Sequence, residues 1–317
     1  MSMYAVEVHE LTKRFRRLVA VDHVSFQVQK GISFGLLGLN GAGKTTTFKM
    51  LATLIRPDGG TALVSGSDIR RDPLEVRRSI GYVPENPSFY TRMTTMETMM
   101  YFCRLLEIPS ETRKQRISQC LELVGLVDKT DSYVGGYSRG MRHRLALAQA
   151  LLAEPTVLFL DEPTLGLDPL GARNMRELIM QLKRDHNVTI LMSSHTLPEV
   201  EMICDEVGIF HNGQLVAQDS VENLRHTASD TTSIEVELAS RPEEQVIISL
   251  RRLPGINQVE RDGRRLLIEA KNDHELRPRI LETILAAHQD VLFFGARETS
   301  LEDILLRILQ DESETAS

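Results

Sequence analysis

The chain has 317 residues, of which 42% are hydrophobic, enough for one large core and a smaller second one, so two domains are expected. Its 37 basic and 44 acidic residues give a net charge of −7, which argues against binding a nucleic-acid backbone over a broad surface. Cys103, Cys120 and Cys204 stand singly, which predicts core thiols in a reducing compartment. No apolar leader or spanning run occurs, so any membrane span is expected to belong to another chain.

The first residues predict two strands joined by a polar turn. Apolar and polar residues alternate over 4–8 and again over 24–28, and the polar residues 12–17 lie between them. Phe15 falls in this predicted turn. An aromatic residue in a loop can cover the core as a small lid or stack on a purine ring, and position alone leaves both readings open.

Residues 38–46 read Gly-Leu-Asn-Gly-Ala-Gly-Lys-Thr-Thr and follow the apolar run 32–37. This G-x-x-x-x-G-K-[ST] pattern between a strand and a helix is typical of a loop whose backbone N–H groups and helix N-terminus hold phosphate oxygens. Lys44 is expected to place its charge between the β- and γ-phosphates, and Thr45 to offer a hydroxyl ligand to Mg²⁺. A chance glycine-rich turn is the alternative, and the preceding strand disfavours it.

After this loop, helices alternate with buried strands except in one long helical block. The predicted elements are helix 45–55, strands 61–64 and 80–83, the helical block from 94 to about 152, strand 157–160, helix 170–185, strand 188–192 and the hairpin 207–210 with 214–217 around Asn212-Gly213. The first domain is assigned to residues 1–224, with a helical subdomain at about 86–152.

Two carboxylates follow the apolar run 157–160. A strand buried on both faces would carry Asp161 beside the phosphate loop, where it can orient Mg²⁺ directly or through water. Glu162, one residue further, is then placed to act as general base toward a water in line with the γ-phosphate. Acidic residues at a strand end also cap helices, but the phosphate loop and the following Pro163-Thr164 favour the catalytic interpretation.

Residues 225–317 predict a separate, small α+β domain. The polar segment 226–232 is interpreted as a linker, and the order strand, helix, strand, strand, helix, strand is ferredoxin-like. Its predicted elements are strand 233–238, helix 243–253, strands 256–261 and 264–270, helix 274–288, strand 291–294 and a last amphipathic helix over 300–309. Because this segment has no phosphate loop and no clustered ligands, we expect it to be regulatory or to stabilise a dimer.

Several separated motifs resemble the ATP-binding subunit of an ABC transporter, over residues 1 to about 224. They are Phe15 at the adenine-stacking position, 38–46 as the Walker A loop, Glu85 at the Q-loop position, Tyr137-Ser138-Arg139-Gly140-Met141 as the signature loop, 158–162 as the Walker B strand, Leu165-Gly166-Leu167-Asp168 as the D-loop and His195 as the switch histidine. The resemblance implies an α/β fold: a P-loop ABC ATPase domain with a helical subdomain, followed by the α+β ferredoxin-like domain.

The resemblance also implies ligands, catalytic residues and partners. ATP and Mg²⁺ would be bound by Phe15, Gly38, Asn40, Gly41, Gly43, Lys44, Thr45 and Thr46, with Thr45, Glu85 and Asp161 at the metal and with Glu162, His195 and Lys44 as catalytic residues. Two subunits would close head to tail as a homodimer, so that Ser138 and Gly140 of one contact the γ-phosphate held by the other. A multi-span permease is the expected partner, nucleic acid is not, and the subunit would lie at the cytoplasmic face of the cell membrane.

The signature loop departs from the common pattern at Tyr137, Arg139 and Met141, and Glu85 replaces the usual glutamine. These variants resemble an export branch that includes daunorubicin-resistance, polyether-antibiotic and sodium efflux systems. The expected function is ATP hydrolysis that energises a separate permease for export. A soluble ABC ATPase acting on DNA or ribosomes is the alternative, and a regulatory subunit that binds ATP without turnover is disfavoured by the intact catalytic residues.

Overall fold

The computed structural model describes residues 2–186, 188–227, 231–271 and 276–297. The chain divides into two compact units, Met1–Ser220 and Val221–Ser317, and each has a hydrophobic core of its own. The predicted domain boundary after Leu224 falls shortly beyond this division. In the parts of the chain that are described, none of the helices combines the length and the apolar character needed to cross a bilayer.

The first unit alternates strands and helices as an α/β fold. Its strands are β1 (Tyr4–Phe15), β2 (Leu18–Gln29), β3 (Ser33–Gly38), β4 (Gly59–Val64), β5 (Ser67–Asp68), β6 (Ile80–Val83), β7 (Val157–Asp161), β8 (Thr189–Ser194), β9 (Glu206–His211) and β10 (Gln214–Ser220). Its helices are α1 (Lys44–Leu51), α2 (Pro73–Ser79), α3 (Thr95–Leu105), α4 (Ser110–Leu123), α5 (Arg139–Leu151), α6 (Pro169–His186) and α7 (Leu197–Ile203).

A six-stranded sheet of order β10-β9-β3-β8-β7-β6 positions the candidate site. Its strands β3, β6, β7 and β8 are parallel, and every residue of β3, β7 and β8 is buried. Burial on both faces explains the continuous apolar run predicted to be a strand at 157–160. The carboxyl ends of these strands meet at one edge, where Leu37 pairs with Ser194 and Asp161 with Ser193, and ligands bind at this edge in α/β sheets.

The strands of the first hairpin extend further than the polar residues 12–17 predicted. The strands β1 and β2 continue until Phe15 pairs with Leu18, and only the two residues between them form the turn. The predicted turn over 12–17 is therefore wrong, and Phe15 ends a strand instead of lying in a loop. The polar residues belong to a surface ribbon, in which Lys13 Nζ lies 3.2 Å from Asp58 Oδ1.

The helical block predicted from 94 to about 152 is confirmed as α3, α4 and α5. Thr94 and Glu97 cap α3 reciprocally: the Thr94 side chain accepts from the Glu97 N–H at 3.2 Å, and Glu97 Oε2 accepts from the Thr94 N–H at 2.8 Å. Ser138 caps α5 and accepts from the Met141 N–H at 3.3 Å. The short elements β5, α2 and α7 were not predicted.

The second unit contains α8 (Val221–Thr227), β11 (Thr231–Leu238), α9 (Glu244–Arg251), β12 (Ile256–Asp262), β13 (Arg265–Lys271), α10 (Leu276–Ala286) and β14 (Val291–Arg297). Its antiparallel sheet has the order β12-β13-β11-β14, and the element order from β11 onward confirms the ferredoxin-like prediction. Apolar residues of the sheet and of the helices α9 and α10 form the core of this unit, among them Val236, Leu250, Ile268 and Ile280. The helix predicted over 300–309 lies outside the described residues.

The segment 226–232, predicted to be a linker, contains regular structure at both ends. The helix α8 extends to Thr227, and β11 begins at Thr231. Val221 and Leu224 are buried and lie three residues apart, so they share one side of α8. The linker prediction is therefore wrong at both ends of the segment, and residues 228–230 lie outside the described residues.

The three cysteines are buried and free, which confirms the prediction of core thiols. Burial raises the pKa of the Cys120 thiol to about 11, and it raises the pKa of the Cys204 thiol well above its ordinary value. Neither sulfur is therefore a reactive thiolate near neutral pH.

Candidate active site

The phosphate loop connects the carboxyl end of β3 to the start of α1. Gly43 precedes the helix with a φ of 107°, and a Cβ atom there would lie 2.5 Å from the Ala20 carbonyl oxygen. Both the backbone conformation and the lack of space therefore require glycine at this position. The resulting close turn presents the first N–H groups of α1 to a phosphate-sized ligand.

Lys44, the first residue of α1, turns its ammonium group back into the loop. Its Nζ donates to the carbonyl oxygens of Gly38 at 2.6 Å and Leu39 at 3.2 Å, and it lies 3.8 Å from Glu162 Oε1. Burial lowers the pKa of Lys44, while the Glu162 and Asp161 carboxylates act in the opposite direction. Because a buried cation is costly unless it is paired with negative charge, this position fits a polyanion such as a triphosphate.

Three hydroxyl groups, from the strands β6 and β8 and from the helix α1, converge on the Asp161 carboxylate at the end of β7. Asp161 Oδ1 accepts from Thr45 Oγ1 at 3.0 Å and from Ser193 Oγ at 2.6 Å, and Oδ2 accepts from the Tyr82 hydroxyl at 3.4 Å. Burial is the main cause that raises the pKa of Tyr82, so this hydroxyl keeps its proton. Oxygen ligands of this kind suit Mg²⁺, so Thr45 and Asp161 fit a metal at this point.

Glu162 lies directly after β7 in the left-handed region, with a φ of 49°. A non-glycine residue in this region is uncommon and is characteristic of functional sites. The Ser193 side chain fixes the turn, since its Oγ accepts from the Glu162 N–H at 3.0 Å. The turn aims the carboxylate at two partners: Oε2 lies 2.9 Å from His195 Nδ1, and Oε1 faces Lys44.

These side chains border a cleft of about 430 Å³, a volume that accepts a small molecule. The predicted residues that line it are Phe15, Asn40, Gly41, Gly43, Lys44, Thr45, Thr46, Glu85 and Glu162. Phe15 is 46% exposed, which leaves ring surface for stacking, and Lys13 Nζ lies 5.4 Å from its ring centroid. Three further predicted residues, Gly38, Asp161 and His195, join the cleft through their hydrogen bonds to residues that line it.

Ser138 and Gly140 do not line this cleft. They border a second cavity of about 220 Å³ together with the D-loop residues Gly166, Leu167 and Asp168. The N-terminus of α5 opens at this cavity, because Ser138 is the residue that caps it. The structure therefore keeps the predicted signature residues apart from the phosphate loop of the same chain.

Two residues of the site were missed by sequence reasoning. Ser193 connects Asp161 to the Glu162 backbone, and Tyr82 donates to the far oxygen of Asp161. Ser193 could have been found from the polar end of the apolar strand 188–192, since neighbouring parallel strands end at the same edge. Tyr82 gave no such signal, because an aromatic residue in a predicted strand is ordinary.

Comparison with known proteins agrees with this geometry. The family model described as ABC transporter matches residues 21–165. The bacitracin transport ATP-binding protein BcrA of Bacillus licheniformis is 34% identical over 304 residues, which cover 96% of this chain and 97% of that protein. The linearmycin resistance ATP-binding protein LnrL of Bacillus subtilis is 30% identical over 305 residues, with 96% and 97% covered.

A solved structure described as the ATP-binding subunit of an ABC transporter has a TM-score of 0.64 and is 30% identical, covering 70% of this chain and 92% of that one. The named relatives are ATP-binding proteins for transport or resistance, which agrees with the transporter hypothesis rather than with a soluble ATPase for DNA or ribosomes. Since BcrA and LnrL are matched over nearly their whole length, the chain belongs to the ATP-binding ATPase subunits of the ABC transporter family.

Proposed function

We propose that this chain hydrolyses MgATP in the cleft between the phosphate loop and the carboxyl end of β7. The observation that carries the proposal is the placement of Glu162, whose carboxylate contacts His195 and faces Lys44, beside the Thr45–Asp161 oxygen pair. In this assignment Glu162 takes the proton of the attacking water as general base. His195 holds the Glu162 carboxylate in that orientation.

The other cleft residues are assigned to binding. Phe15 stacks on the adenine, and the triphosphate is held by Gly38, Asn40, Gly41, Gly43, Lys44, Thr45, Thr46 and the start of α1. Thr45, Asp161 and Glu85 would hold Mg²⁺, which would offset the negative charge of the phosphates there. Support comes from the cleft that Thr45 and Glu85 both line and from the hydroxyl oxygens that converge on Asp161.

We infer further that two copies of the chain close head to tail around ATP. Ser138 and Gly140 border a cavity of their own, away from the phosphate loop, so a second copy would be needed to bring them to a γ-phosphate. The uncharged Ser138 hydroxyl and the α5 N-terminus are suited to that anion. Each active site would then combine the phosphate loop of one copy with the signature loop of the other.

The partner we propose is a membrane permease, with this chain at its cytoplasmic face. BcrA is named for bacitracin transport and LnrL for linearmycin resistance, and each match covers 96% of this chain, which includes most of its second unit. Export is therefore the direction of transport we propose. The substrate path would belong to the permease, whose copurification with the tagged chain would test this assignment.

Mixing two inactive variants tests the shared site. Ser138→Arg should spare ATP binding but abolish turnover, because the bulky cation blocks the anion held by the other copy. Mixed with Lys44→Ala, it should regain about a quarter of wild-type ATPase activity at equal amounts, since half of the dimers carry one intact site. Ser110→Arg, at the exposed start of α4, is the matched control and should keep wild-type activity. Mixtures as inactive as their components would contradict a head-to-tail assembly in which each site turns over independently.

We also propose that residues 225–317 form a regulatory or dimer-stabilising domain. The hydrophobic cores of the two units contain separate sets of residues, which supports independent folding. A chain that ends at Ser220 should therefore remain folded and bind MgATP with an affinity within about threefold of the full chain. Circular dichroism and titration with a fluorescent ATP analogue would check this, and a folded truncation that fails to bind ATP would refute the proposed independence.

A further inference from the structure

Arg139, the first residue of α5, bridges two loops of the ATPase unit. Its Nη2 donates to Asn86 Oδ1 at 3.4 Å, near the outer limit for such a bond. On the other side it covers Gly166, where an added Cβ atom would lie 2.4 Å from Arg139 Nη1 and 2.7 Å from Cζ. Gly166 also has a φ of 70°, so a larger residue would be strained by its backbone and would displace the guanidinium.

Asn86 extends this bridge to the nucleotide cleft. Its Nδ2 donates to Glu85 Oε1 at 3.0 Å, while its Oδ1 receives the Arg139 proton. Both contacts require the same orientation of the Asn86 amide. The Glu85 carboxylate needs the NH₂ group as a donor, and the Arg139 guanidinium needs the amide oxygen as an acceptor. The result is a hydrogen-bonded relay, Glu85–Asn86–Arg139, that ends on Gly166.

The relay joins two different cavities. Glu85 lines the cleft that contains Lys44, whereas Arg139 and Gly166 line the cavity that contains Ser138. Under the proposed head-to-tail assembly, these cavities serve two different ATP molecules. A displacement of the Glu85 carboxylate by its own nucleotide would thus change the support of the signature loop that serves the other site.

The start of α5 has a second attachment on the same side. His143, one helical turn after Arg139, is buried, and its Nδ1 lies 3.1 Å from the Pro163 carbonyl oxygen. Both α5 side chains therefore reach the segment 163–166 that follows Glu162. Of these two side chains, Arg139 is the one with a hydrogen bond to the Asn86 side chain.

Arg139 has an unusual charge environment for a structural residue. Among the described residues it forms no ion pair with a carboxylate, and its buried Nε has no hydrogen-bond partner. A buried donor without a partner costs free energy, so the position is poorly explained by stability alone. A coupling role gives a reason for an arginine at this position.

We propose that Arg139 is a positioning residue that couples the two ATP sites of the dimer through Asn86 and Gly166. The proposal rests on the head-to-tail assembly proposed above. Arg139 does not line the cleft that contains Lys44 of its own chain, so its loss is expected to affect turnover and to leave ATP binding in that cleft intact. Two features of the guanidinium are needed together, the directed donor to Asn86 and the flat face over Gly166; a lysine has N–H donors but no flat face.

The test is a double-variant cycle measured on the full-length chain. ATPase rates across ATP concentrations are compared for wild type, Arg139→Ala, Asn86→Ala, the double variant and Arg139→Lys, with thermal melting of each. Each single variant should lower kcat about fivefold or more and leave the KM for ATP within about twofold. The double variant should lose no more than the worse single variant, and Arg139→Lys should behave like Arg139→Ala. Arg184→Ala, an exposed arginine near the end of α6, is the matched control and should match wild type.

The coupling would be overturned if the losses of kcat multiplied in the double variant, or if Asn86→Ala kept the wild-type kcat. Full turnover in Arg139→Lys would also overturn it, because the positive charge alone would then be sufficient. Asn86 lies in an exposed loop, so its variant carries the test even if Arg139→Ala does not fold. Failure of the proposed function looks different, since the wild-type chain itself would then hydrolyse no ATP. Wild-type turnover with an unaffected Asn86→Ala contradicts only the coupling.

Discussion

Glu162→Gln is expected to bind MgATP like wild type and to hydrolyse it about 10²- to 10⁴-fold more slowly. The amide keeps the size of the side chain, and the Ser193 hydroxyl still holds the backbone turn through the Glu162 N–H at 3.0 Å. What disappears is the carboxylate that would take the proton of the attacking water. Single-turnover hydrolysis with labelled ATP measures the loss, and equilibrium titration measures the unchanged affinity.

Because the dimer is proposed to close around unhydrolysed ATP, Glu162→Gln should also dimerise more stably with ATP than wild type does, as seen by size-exclusion chromatography. Glu177→Gln is the matched control, because Glu177 is an exposed carboxylate of α6 that pairs with Arg173 at 2.9 Å. This control should retain wild-type turnover. If Glu162→Gln retained it as well, the general base would lie elsewhere, and His195 would be the next candidate.

Lys44→Ala is expected to weaken MgATP binding by at least about tenfold, and on the order of a hundredfold if the whole charge-assisted contact is lost. The substitution removes the only described cation that donates into the phosphate loop, to the Gly38 carbonyl at 2.6 Å. The triphosphate would then meet the Glu162 and Asp161 carboxylates without a compensating charge from the chain. The dissociation constant for MgATP, measured by calorimetry, gives the effect directly.

Lys49→Ala provides the matched control for Lys44→Ala. Lys49 lies on the same helix, α1, but its side chain is exposed and does not line the cleft. Its variant should bind MgATP like wild type, which separates the loss of one positive charge from the loss of this particular contact. A melting temperature close to wild type would show that Lys44→Ala is folded, and near-normal ATP affinity in that folded variant would refute the role of the phosphate loop.

The phosphate loop could be predicted from sequence because its function depends on neighbours in the chain. A strand, a glycine turn and a helix N-terminus follow one another within residues 33–46 and contain the phosphate-binding geometry, and the positive φ at Gly43 needs glycine. The buried strand before Asp161 and Glu162 could also be predicted from sequence, since a strand covered on both faces has a continuous apolar run. The predicted turn over 12–17 failed because surface strands can be as polar as turns.

The sequence by itself determined the family resemblance, the order of the motifs and the pairing of a phosphate loop with two carboxylates. Only the tertiary structure decided which distant side chains meet. The sheet order β3-β8-β7 puts the strand that comes last in the chain between the other two, so Ser193 reaches Asp161 and the Glu162 backbone, and Thr45 reaches Asp161. Strand order depends on long-range packing, which leaves no periodic signal in the residues that it brings together.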